Sequence, residues 1–357
     1  MELKFKDDVD EIQVLPTGKE KIKNESDSIV NDEEILEEEK KETQISFTKD
    51  VLPYIIPLTC ILTIKNKNMD FVTMLNDIKE NPELLDTFDD QCLIWWNKKD
   101  LLDLIKEIIN KHFDKKSNTY NISVQFKISL QSLIDNPKEL LELINECLKP
   151  KDIKKKQFGE VFTPMLLVNE MLDKLPKEVW KNKDLKWLDP CCGMGNFPIA
   201  VYLRLIEGLK EEIKDVKERK KHILVNMIYM SELNKKNVLI TKQIFDINNE
   251  LKLNIYEGDS LKVDYDKEFG IKQFDIIMGN PPYQDNQNAN GKRGGGDLLW
   301  NKFVINSFVL LKNKGFLCFV HPAGWRKPES EKSKYKKLFK LMTYENQMLY
   351  LEIHDTK

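Results

Sequence analysis

The chain has 357 residues, enough for two domains with sizeable cores, and 41% of them are hydrophobic, as in globular proteins. No apolar run approaches the ~20 residues of a membrane-spanning helix, and the N-terminus has no signal-peptide core, so we expect an intracellular protein that is not secreted. The six cysteines form no Cys-x-x-Cys pair and there are only four histidines, which argues against a disulfide framework and a zinc site.

The net charge of −3 hides an uneven distribution. Residues 1–45 carry a net charge of −8, which leaves +5 on the remainder. We predict that residues 1–45 are a disordered acidic tail, because they are dense in Glu and poor in aromatic residues. Lysine clusters at 149–156, 217–221 and 327–340 either meet nucleic-acid phosphates or lie on solvated helix faces.

Residues 46–150 are predicted to form a mainly helical region. Apolar residues recur at helical spacing in 101–108 and 140–148. Asn136-Pro137 is a typical helix start, with proline in the first turn. This region contains no recognisable catalytic constellation.

Residues 151–357 alternate between short apolar runs and helical patterns. This alternation predicts an α/β fold with a doubly wound, mostly parallel, Rossmann-like sheet and helices on both faces. The predicted helices are 165–175, 198–209, 235–245 and 298–311, and a Lys-rich helix follows the fifth strand. The predicted strands are 185–188, 227–230, 253–256, 274–279, 315–320 and 348–353.

Polar residues follow the first four of these strands. They are Asp189, Glu232, Asp259 and Asn280. Ligands of such sheets bind at the carboxyl ends of the strands near the switch point, so we expect the four side chains to converge on one site. For Glu232 and Asp259, a helix-capping acid or a solvated turn is the alternative interpretation.

The first strand leads into a glycine loop with Gly193-x-Gly195, where the backbone could approach a ligand closely. The loop lacks the third glycine of the dinucleotide fingerprint, and Asp189 would face any pyrophosphate. An acid at this place suits a cationic ligand such as S-adenosylmethionine. Glu232 could then accept both ribose hydroxyls, and Asp259 an adenine amino group.

The fourth strand ends at Asn280-Pro281-Pro282-Tyr283. Two prolines cannot continue a sheet ladder, so the strand stops at a rigid turn that presents an amide, free carbonyls and an aromatic ring. Such a turn could hold a planar amine. The alternative is an ordinary strand-ending turn with a surface tyrosine.

Residues 157 to about 325 resemble the amino-methylating, adenine-N6 DNA methyltransferases in their gamma-type arrangement, including the methylase parts of restriction–modification enzymes. Three boxes carry the resemblance: Gly159–Pro164, Asp189–Gly195 and Asn280–Tyr283. It implies a class I methyltransferase fold and S-adenosyl-L-methionine as cofactor. The implied catalytic residues are Asn280, Pro281, Pro282 and Tyr283, and the implied cofactor-binding residues are Phe162, Thr163, Pro164, Asp189, Pro190, Gly193, Gly195, Asn196, Glu232, Asp259 and Asn280.

The resemblance also implies a mechanism. The Asn280 oxygen and the Pro281 carbonyl would accept hydrogens from the exocyclic amine of a flipped-out adenine, and Tyr283 would stack on that base. The amine would attack the sulfonium methyl directly. Cys191 and Cys192 would therefore be packing residues and not nucleophiles.

Several alternatives stay open. The same catalytic box occurs in enzymes that methylate a protein glutamine amide or an RNA guanine, and a non-catalytic binding subunit is a further possibility. The expected partners are DNA and a specificity or nuclease subunit, or a C-terminal target-recognition region missing from this chain. No segment is left for the family's seventh, antiparallel strand, so we expect the methyltransferase fold to be C-terminally incomplete. The loop 284–297 either orders on DNA or is simply a disordered surface loop.

Overall fold

A computed structural model describes residues 51–112, 118–148, 163–283, 299–326 and 335–353. The predicted acidic tail, Phe162 and the loop 284–297 lie outside these ranges.

The N-terminal part of the described chain is helical, as predicted. Asparagine and proline pairs begin two of the helices: the Asn81 side chain accepts from the backbone N–H groups of Glu83 and Leu84, and Asn136 accepts from Glu139 N. Proline follows each asparagine at the first helical position, where its missing N–H costs nothing. The helices are α1 (Leu52–Leu62), α2 (Phe71–Glu80), α3 (Pro82–Trp96), α4 (Leu102–His112), α5 (Asn118–Ser132) and α6 (Pro137–Cys147).

The C-terminal part contains a five-stranded sheet in which every pair of neighbouring strands is parallel. The strand order is β3-β2-β1-β4-β5, so the chain reverses its direction of travel across the sheet between β1 and β4. That reversal is the switch point at which open α/β sheets bind ligands. The strands are β1 (Trp187–Asp189), β2 (Ile228–Glu232), β3 (Asn254–Glu257), β4 (Phe274–Gly279) and β5 (Leu311–Phe319).

Helices connect the strands and cover the sheet. They are α7 (Met165–Leu172), α8 (Asn196–Gly208), α9 (Val216–His222), α10 (Lys235–Phe245), α11 (Tyr265–Phe269), α12 (Trp300–Leu310) and α13 (Lys336–Lys340). The predicted α/β class and mostly parallel sheet are confirmed.

Both faces of the sheet are buried, which is why its strands read as continuous apolar runs. On one face Trp187, Met230 and Met278 pack in the same core as α8. On the other face Leu188 and Ile277 pack with Tyr229, Phe274 and Tyr265. Burial of each such side chain contributes about 1.5–3 kcal/mol.

The helical region shares the larger core. Its buried side chains and those of one sheet face form a single hydrophobic cluster. Contacts to α10 reinforce the junction, since Gln243 Nε2 donates to the Leu62 carbonyl at 3.4 Å and Lys235 pairs with Asp86. The helices therefore support the same side of the sheet as α8 and α10.

The prediction of a sixth strand at 348–353 is wrong. Residues 347–353 have no regular structure, and Met348, Leu349, Leu351 and Ile353 are 38–61% exposed. The apolar pattern resembles a strand, but a strand also needs a neighbour to satisfy its N–H and C=O groups. Within the described sheet β5 is the last strand, and no strand lies beyond it to pair with this segment.

Candidate active site

The carboxyl ends of the strands place the polar residues at one edge of the sheet. β1 ends at Asp189 and β2 at Glu232, while Asn280 directly follows β4. Because β1 lies between β2 and β4, Asp189 occupies the middle of this edge. The site is therefore centred on the switch point.

Asp189 is almost completely buried, at 1% exposure. Its Oδ1 atom accepts from Cys191 N at 3.0 Å. Burial raises the pKa of the Asp189 carboxyl to about 8, and the nearby charge of Glu232 adds to this rise. Gly279 closes over the carboxyl, since a Cβ atom at that position would lie 2.8 Å from Asp189 Oδ1.

Hydrogen bonds to β2 and α10 hold the backbone of the glycine loop. Gly193 N donates to Glu232 Oε2 at 2.9 Å, and Cys192 N donates to the Ser231 carbonyl at 3.0 Å. The Thr241 hydroxyl of α10 donates to the Gly193 carbonyl at 3.3 Å. Gly193 has φ +56°, in the left-handed region that glycine adopts easily because it has no Cβ atom. The loop and the carboxylate of Glu232 thus form one bonded unit.

Thr163 joins the Asn280–Tyr283 turn to the glycine loop. Asn280 Nδ2 donates to Thr163 Oγ1 at 3.0 Å, and Asn196 Nδ2 donates to the Thr163 carbonyl at 2.7 Å. The Oδ1 atoms of both asparagines are buried and have no hydrogen-bond partner among the described residues. Buried acceptors of this kind are rare and need an explanation, for which a bound ligand is one.

The rest of the catalytic box continues towards the surface. Pro281 is buried and Pro282 is half-buried, whereas Tyr283 is 39% exposed. The Tyr283 carbonyl accepts from Leu299 N at 3.2 Å, which fixes the box where the described chain resumes.

The remaining predicted residues vary in their placement. Pro190 is buried and its carbonyl accepts from the Ser260 hydroxyl, so it lies beside the site. Pro164 is exposed. Asp259 follows β3 at the same edge, but its carboxylate already accepts from Leu261 N at 3.0 Å and pairs with Lys262 at 2.9 Å. Phe162 lies outside the described residues.

Residues 192–355 match the family model described as Eco57I restriction-modification methylase. The predicted resemblance to the methylase parts of restriction–modification enzymes is confirmed.

Two curated relatives are similar in sequence to this chain. An "Uncharacterized adenine-specific methylase" of Mycoplasma pneumoniae is 27% identical over 235 residues, covering 46% of this chain and 55% of the relative. "Type II methyltransferase M.VspI" of a Vibrio species is 26% identical over 194 residues, covering 52% of this chain and 41% of the relative. The chain thus spans about half the length of the curated relatives it matches.

A modification subunit of a putative type I restriction enzyme from Vibrio vulnificus is one similar solved structure. It is 17% identical, covers 82% of this chain and 70% of its own, and superposes with a TM-score of 0.40.

The side chains at the carboxyl edge of the sheet fit S-adenosylmethionine. The cofactor carries an ammonium and a sulfonium, and the carboxyl edge of the sheet offers Asp189 together with the unpartnered Asn196 oxygen. Glu232 accepts from Gly193 N at 2.9 Å and from Asn234 N at 2.8 Å, and a carboxylate is also the type of group that accepts from sugar hydroxyls. These side chains suit a cationic ligand that carries a sugar.

The two cysteines of the glycine loop are poor nucleophiles here. Burial raises the pKa of the Cys191 and Cys192 thiols far above the ordinary value, and the carboxylate of Asp189 raises it further. Both thiols therefore stay protonated at neutral pH, which agrees with a packing role.

Sequence reasoning missed two contributors to this site. Thr241 is fully buried in α10 and supports the glycine loop, and nothing in its sequence context distinguishes it from a core residue. The bond from Asn280 to Thr163 was also missed, although both residues were recognised separately.

Proposed function

We propose that this protein is an S-adenosylmethionine-dependent DNA methyltransferase that methylates the exocyclic N6 amine of adenine. The observation that carries the proposal is the buried, unpartnered Asn280 oxygen at the switch point, one residue after Gly279, whose backbone lies against Asp189. The Eco57I-type match over residues 192–355 and the relative described as an adenine-specific methylase also support it.

The proposed chemistry begins with a poor nucleophile. The lone pair of an exocyclic adenine amine is delocalised into the ring. If Asn280 Oδ1 and the Pro281 carbonyl each accept a hydrogen bond from the amine, the nitrogen becomes more pyramidal and its lone pair more available. These two bonds strengthen as positive charge develops on the nitrogen, so they favour the transition state over the ground state.

Asp189, Asn196 and Glu232 are the residues that would hold the cofactor. When bound, S-adenosylmethionine supplies a methyl group on an electrophilic sulfonium. Thr163, Pro164, Pro190, Gly193, Gly195 and Asp259 stay predicted contacts, with the bonded unit around Gly193 as the best supported among them. Phe162 stays a prediction.

A base inside a duplex cannot reach a buried amide, so the target adenine must leave the stack. Tyr283 is the exposed aromatic side chain next to Asn280. Stacking on an aromatic ring contributes about 1–3 kcal/mol per base, which offsets much of the cost of unstacking. We therefore propose Tyr283 as the platform for the flipped adenine.

DNA is the proposed substrate partner, and a specificity or nuclease subunit is a further prediction. None of the helices in the described ranges is long and apolar enough to cross a bilayer. We retain the division into a helical region, 46–150, and a methyltransferase domain, 151–357, as a proposal.

The test is methyl transfer to unmethylated genomic DNA from a methylation-free bacterial strain, with the product base identified by mass spectrometry. We expect N6-methyladenine, and a loss on the order of a hundredfold in Asn280→Ala because a transition-state hydrogen bond is removed. Asn313→Ala is the matched control, since Asn313 is exposed near the start of β5 at the other end of the sheet.

Equal labelling by wild type and Asn280→Ala would refute the assignment of Asn280. Methylation of RNA or of a protein glutamine, with none on DNA, would instead support the alternative acceptors. Binding of the cofactor without transfer to any of these would favour a non-catalytic subunit.

A further inference from the structure

Tyr265, the first residue of α11, is a buried side chain that the proposed chemistry does not use. It is 2% exposed and packs in the core on the sheet face of Leu188 and Ile277. Its ring meets the ring of Phe274, at the start of β4, edge to face with 5.5 Å between the centroids. This packing fixes the ring, so the hydroxyl group is held at one place within the core.

The Tyr265 hydroxyl bonds to the carboxyl end of β2. Its oxygen lies 2.9 Å from Ser231 Oγ, and Ser231 has no exposed surface. The Ser231 carbonyl accepts from Cys192 N of the glycine loop, and the residue after Ser231 is Glu232. The hydroxyl therefore contacts the residue that joins β2 to the glycine loop.

A second serine connects the same hydroxyl to the end of β1. The Ser260 hydroxyl donates to the Pro190 carbonyl. Burial raises the pKa of the Tyr265 hydroxyl, and hydrogen bonding to Ser231 and Ser260 partly offsets this rise. A carbonyl can only accept, so the single Ser260 hydrogen is used on Pro190 and the Ser260 oxygen can only accept from Tyr265. Donation then runs in one order, from Ser231 through Tyr265 and Ser260 to the Pro190 carbonyl.

Each end of this hydroxyl chain adjoins an acid of the predicted cofactor site, and so does Ser260 within it. The adjoining pairs are Asp189-Pro190, Ser231-Glu232 and Asp259-Ser260. Because β1, β2 and β3 are neighbours in the sheet, one chain of buried hydroxyls links the three strand ends that carry the acids. The spacing of the acids therefore depends on bonds that meet at Tyr265.

We propose that Tyr265 is a positioning residue for the cofactor, whose hydroxyl holds the three strand ends at the spacing that S-adenosylmethionine requires. The proposal rests on the proposed function and deepens it. Its distinguishing consequence is that the hydroxyl acts through the acids, so its loss weakens ligand binding while the ring still fills the core.

The test removes the hydroxyl and keeps the ring, as Tyr265→Phe does. Tyr229→Phe is the matched control, because Tyr229 is 5% exposed in the same core. The Tyr229 hydroxyl donates to the Asn226 carbonyl at 3.4 Å, at the other end of β2. Affinity for S-adenosylhomocysteine is measured by calorimetry on the full chain, at a temperature at which circular dichroism shows both variants folded.

We expect Tyr265→Phe to weaken the affinity roughly tenfold, as when one hydrogen-bonded contact is lost. Tyr229→Phe should stay within about twofold of wild type. Ser260→Ala should weaken the affinity by a similar factor to Tyr265→Phe, and the double variant should lose little more than either, because both changes break the same chain. Wild-type affinity in Tyr265→Phe, an equal loss in Tyr229→Phe, or additive losses in the double variant would overturn the proposal.

A second readout needs no ligand. Hydrogen–deuterium exchange of the unliganded protein follows the backbone amides of Cys192 and Gly193, which donate to β2. These amides should exchange faster in Tyr265→Phe and at the wild-type rate in Tyr229→Phe; unchanged exchange in Tyr265→Phe would refute the link to the glycine loop.

Neither readout needs methyl transfer, so the proposed function can fail while the role of Tyr265 is still decided. If wild type binds no S-adenosylhomocysteine, the exchange of the glycine-loop amides alone decides whether Tyr265 holds that loop. If Tyr265→Phe does not fold, Ser260→Ala breaks the chain at its other end, with the same expected results and the same control.

Discussion

Asp189 is the buried carboxyl at the middle of the site. Asp189 is a carboxyl taken out of water, so its charged form is disfavoured and its pKa is about 8. This value lies above that of an unfolded aspartate, so the folded protein holds a proton that the unfolded chain releases at neutral pH. The contribution of Asp189 to stability is therefore greatest below about pH 4 and declines as the pH rises towards 8.

A cationic ligand reverses this preference. Binding of an ammonium or sulfonium beside Asp189 stabilises the carboxylate, so the proton should leave when the ligand binds at neutral pH. We predict proton release on binding of S-adenosylhomocysteine at pH 7, and an affinity that rises with pH up to about 8.

Calorimetry in buffers of different ionisation enthalpy measures the released protons. Asp189→Asn cannot release one, so it serves as the matched control and should show a smaller dependence on buffer. Identical proton release in wild type and Asp189→Asn would show that Asp189 does not face the ligand's charge.

At the scale of elements, β4 is the strand that brings the site together. It ends in Gly279 at φ +151°, a backbone conformation that residues with a side chain rarely adopt. The backbone there lies against Asp189. The next residue is Asn280. The strand therefore delivers the catalytic box and closes the carboxyl pocket with the same turn.

We predict that Gly279→Ala disrupts the site more than a glycine replacement elsewhere. The new methyl would lie 2.8 Å from a buried carboxylate oxygen that has little room to move, so the strand end must shift. Gly270→Ala is the control: it also has a positive φ, +70°, but a Cβ there meets nothing within 4 Å.

Thermal unfolding and affinity for S-adenosylhomocysteine distinguish the two variants. Gly270→Ala should cost about 1 kcal/mol and leave affinity unchanged. Gly279→Ala should lower both stability and affinity, with a cost of about 1–3 kcal/mol. Equal behaviour of the two variants would mean that Asp189 can move away from β4.

Strands that are buried on both faces are the ones that the sequence predicts best. β4 was predicted with its observed bounds, since both faces of the strand are covered and its residues are apolar or small apart from Asp275. The start of β5 was missed because Asn313-Lys314-Gly315 resembles a turn, and Lys314 does have φ +65°, yet the chain stays in the sheet through an irregularity. Residues 348–353 also have an apolar, strand-like pattern, but no neighbouring strand pairs with them in the described sheet. The pattern of a segment does not show whether a neighbouring strand is present.

The site was predictable in part for a related reason. Polar residues that follow strands can be placed from the strand order, so Asp189, Glu232 and Asn280 were correctly expected at one edge. The bond between Asn280 and Thr163 joins residues 117 positions apart. It depends on side-chain directions that only the packed structure fixes.

At the scale of the whole molecule, the helical region and the sheet share a core. Ile56 of α1 has no exposed surface and belongs to the cluster that includes Trp187 of β1. Loosening the helices should therefore also loosen the sheet.

We predict that Ile56→Ala lowers the free energy of unfolding by about 2–5 kcal/mol, as is usual for a fully buried isoleucine. Ile128→Ala is the matched control, because Ile128 is 53% exposed on α5 and its loss should cost less than about 0.5 kcal/mol. Chemical denaturation measures both.

Hydrogen–deuterium exchange shows how far the effect reaches. In Ile56→Ala, peptides from β2 should exchange faster along with those from α1. Faster exchange confined to the helices would mean that the two parts unfold independently.

Three bonds of the site connect distant parts of the chain. Asn196 and Thr163 are 33 residues apart, Glu232 and Gly193 are 39 apart, and Asn280 and Thr163 are 117 apart. During synthesis the amide of residue 280 leaves the ribosome long after Thr163, and contacts of such separation form late because their loops are costly to close. A growing chain therefore passes through lengths at which the sheet can begin to form while the proposed site is still incomplete. Activity becomes possible only when the last part of the site has been made.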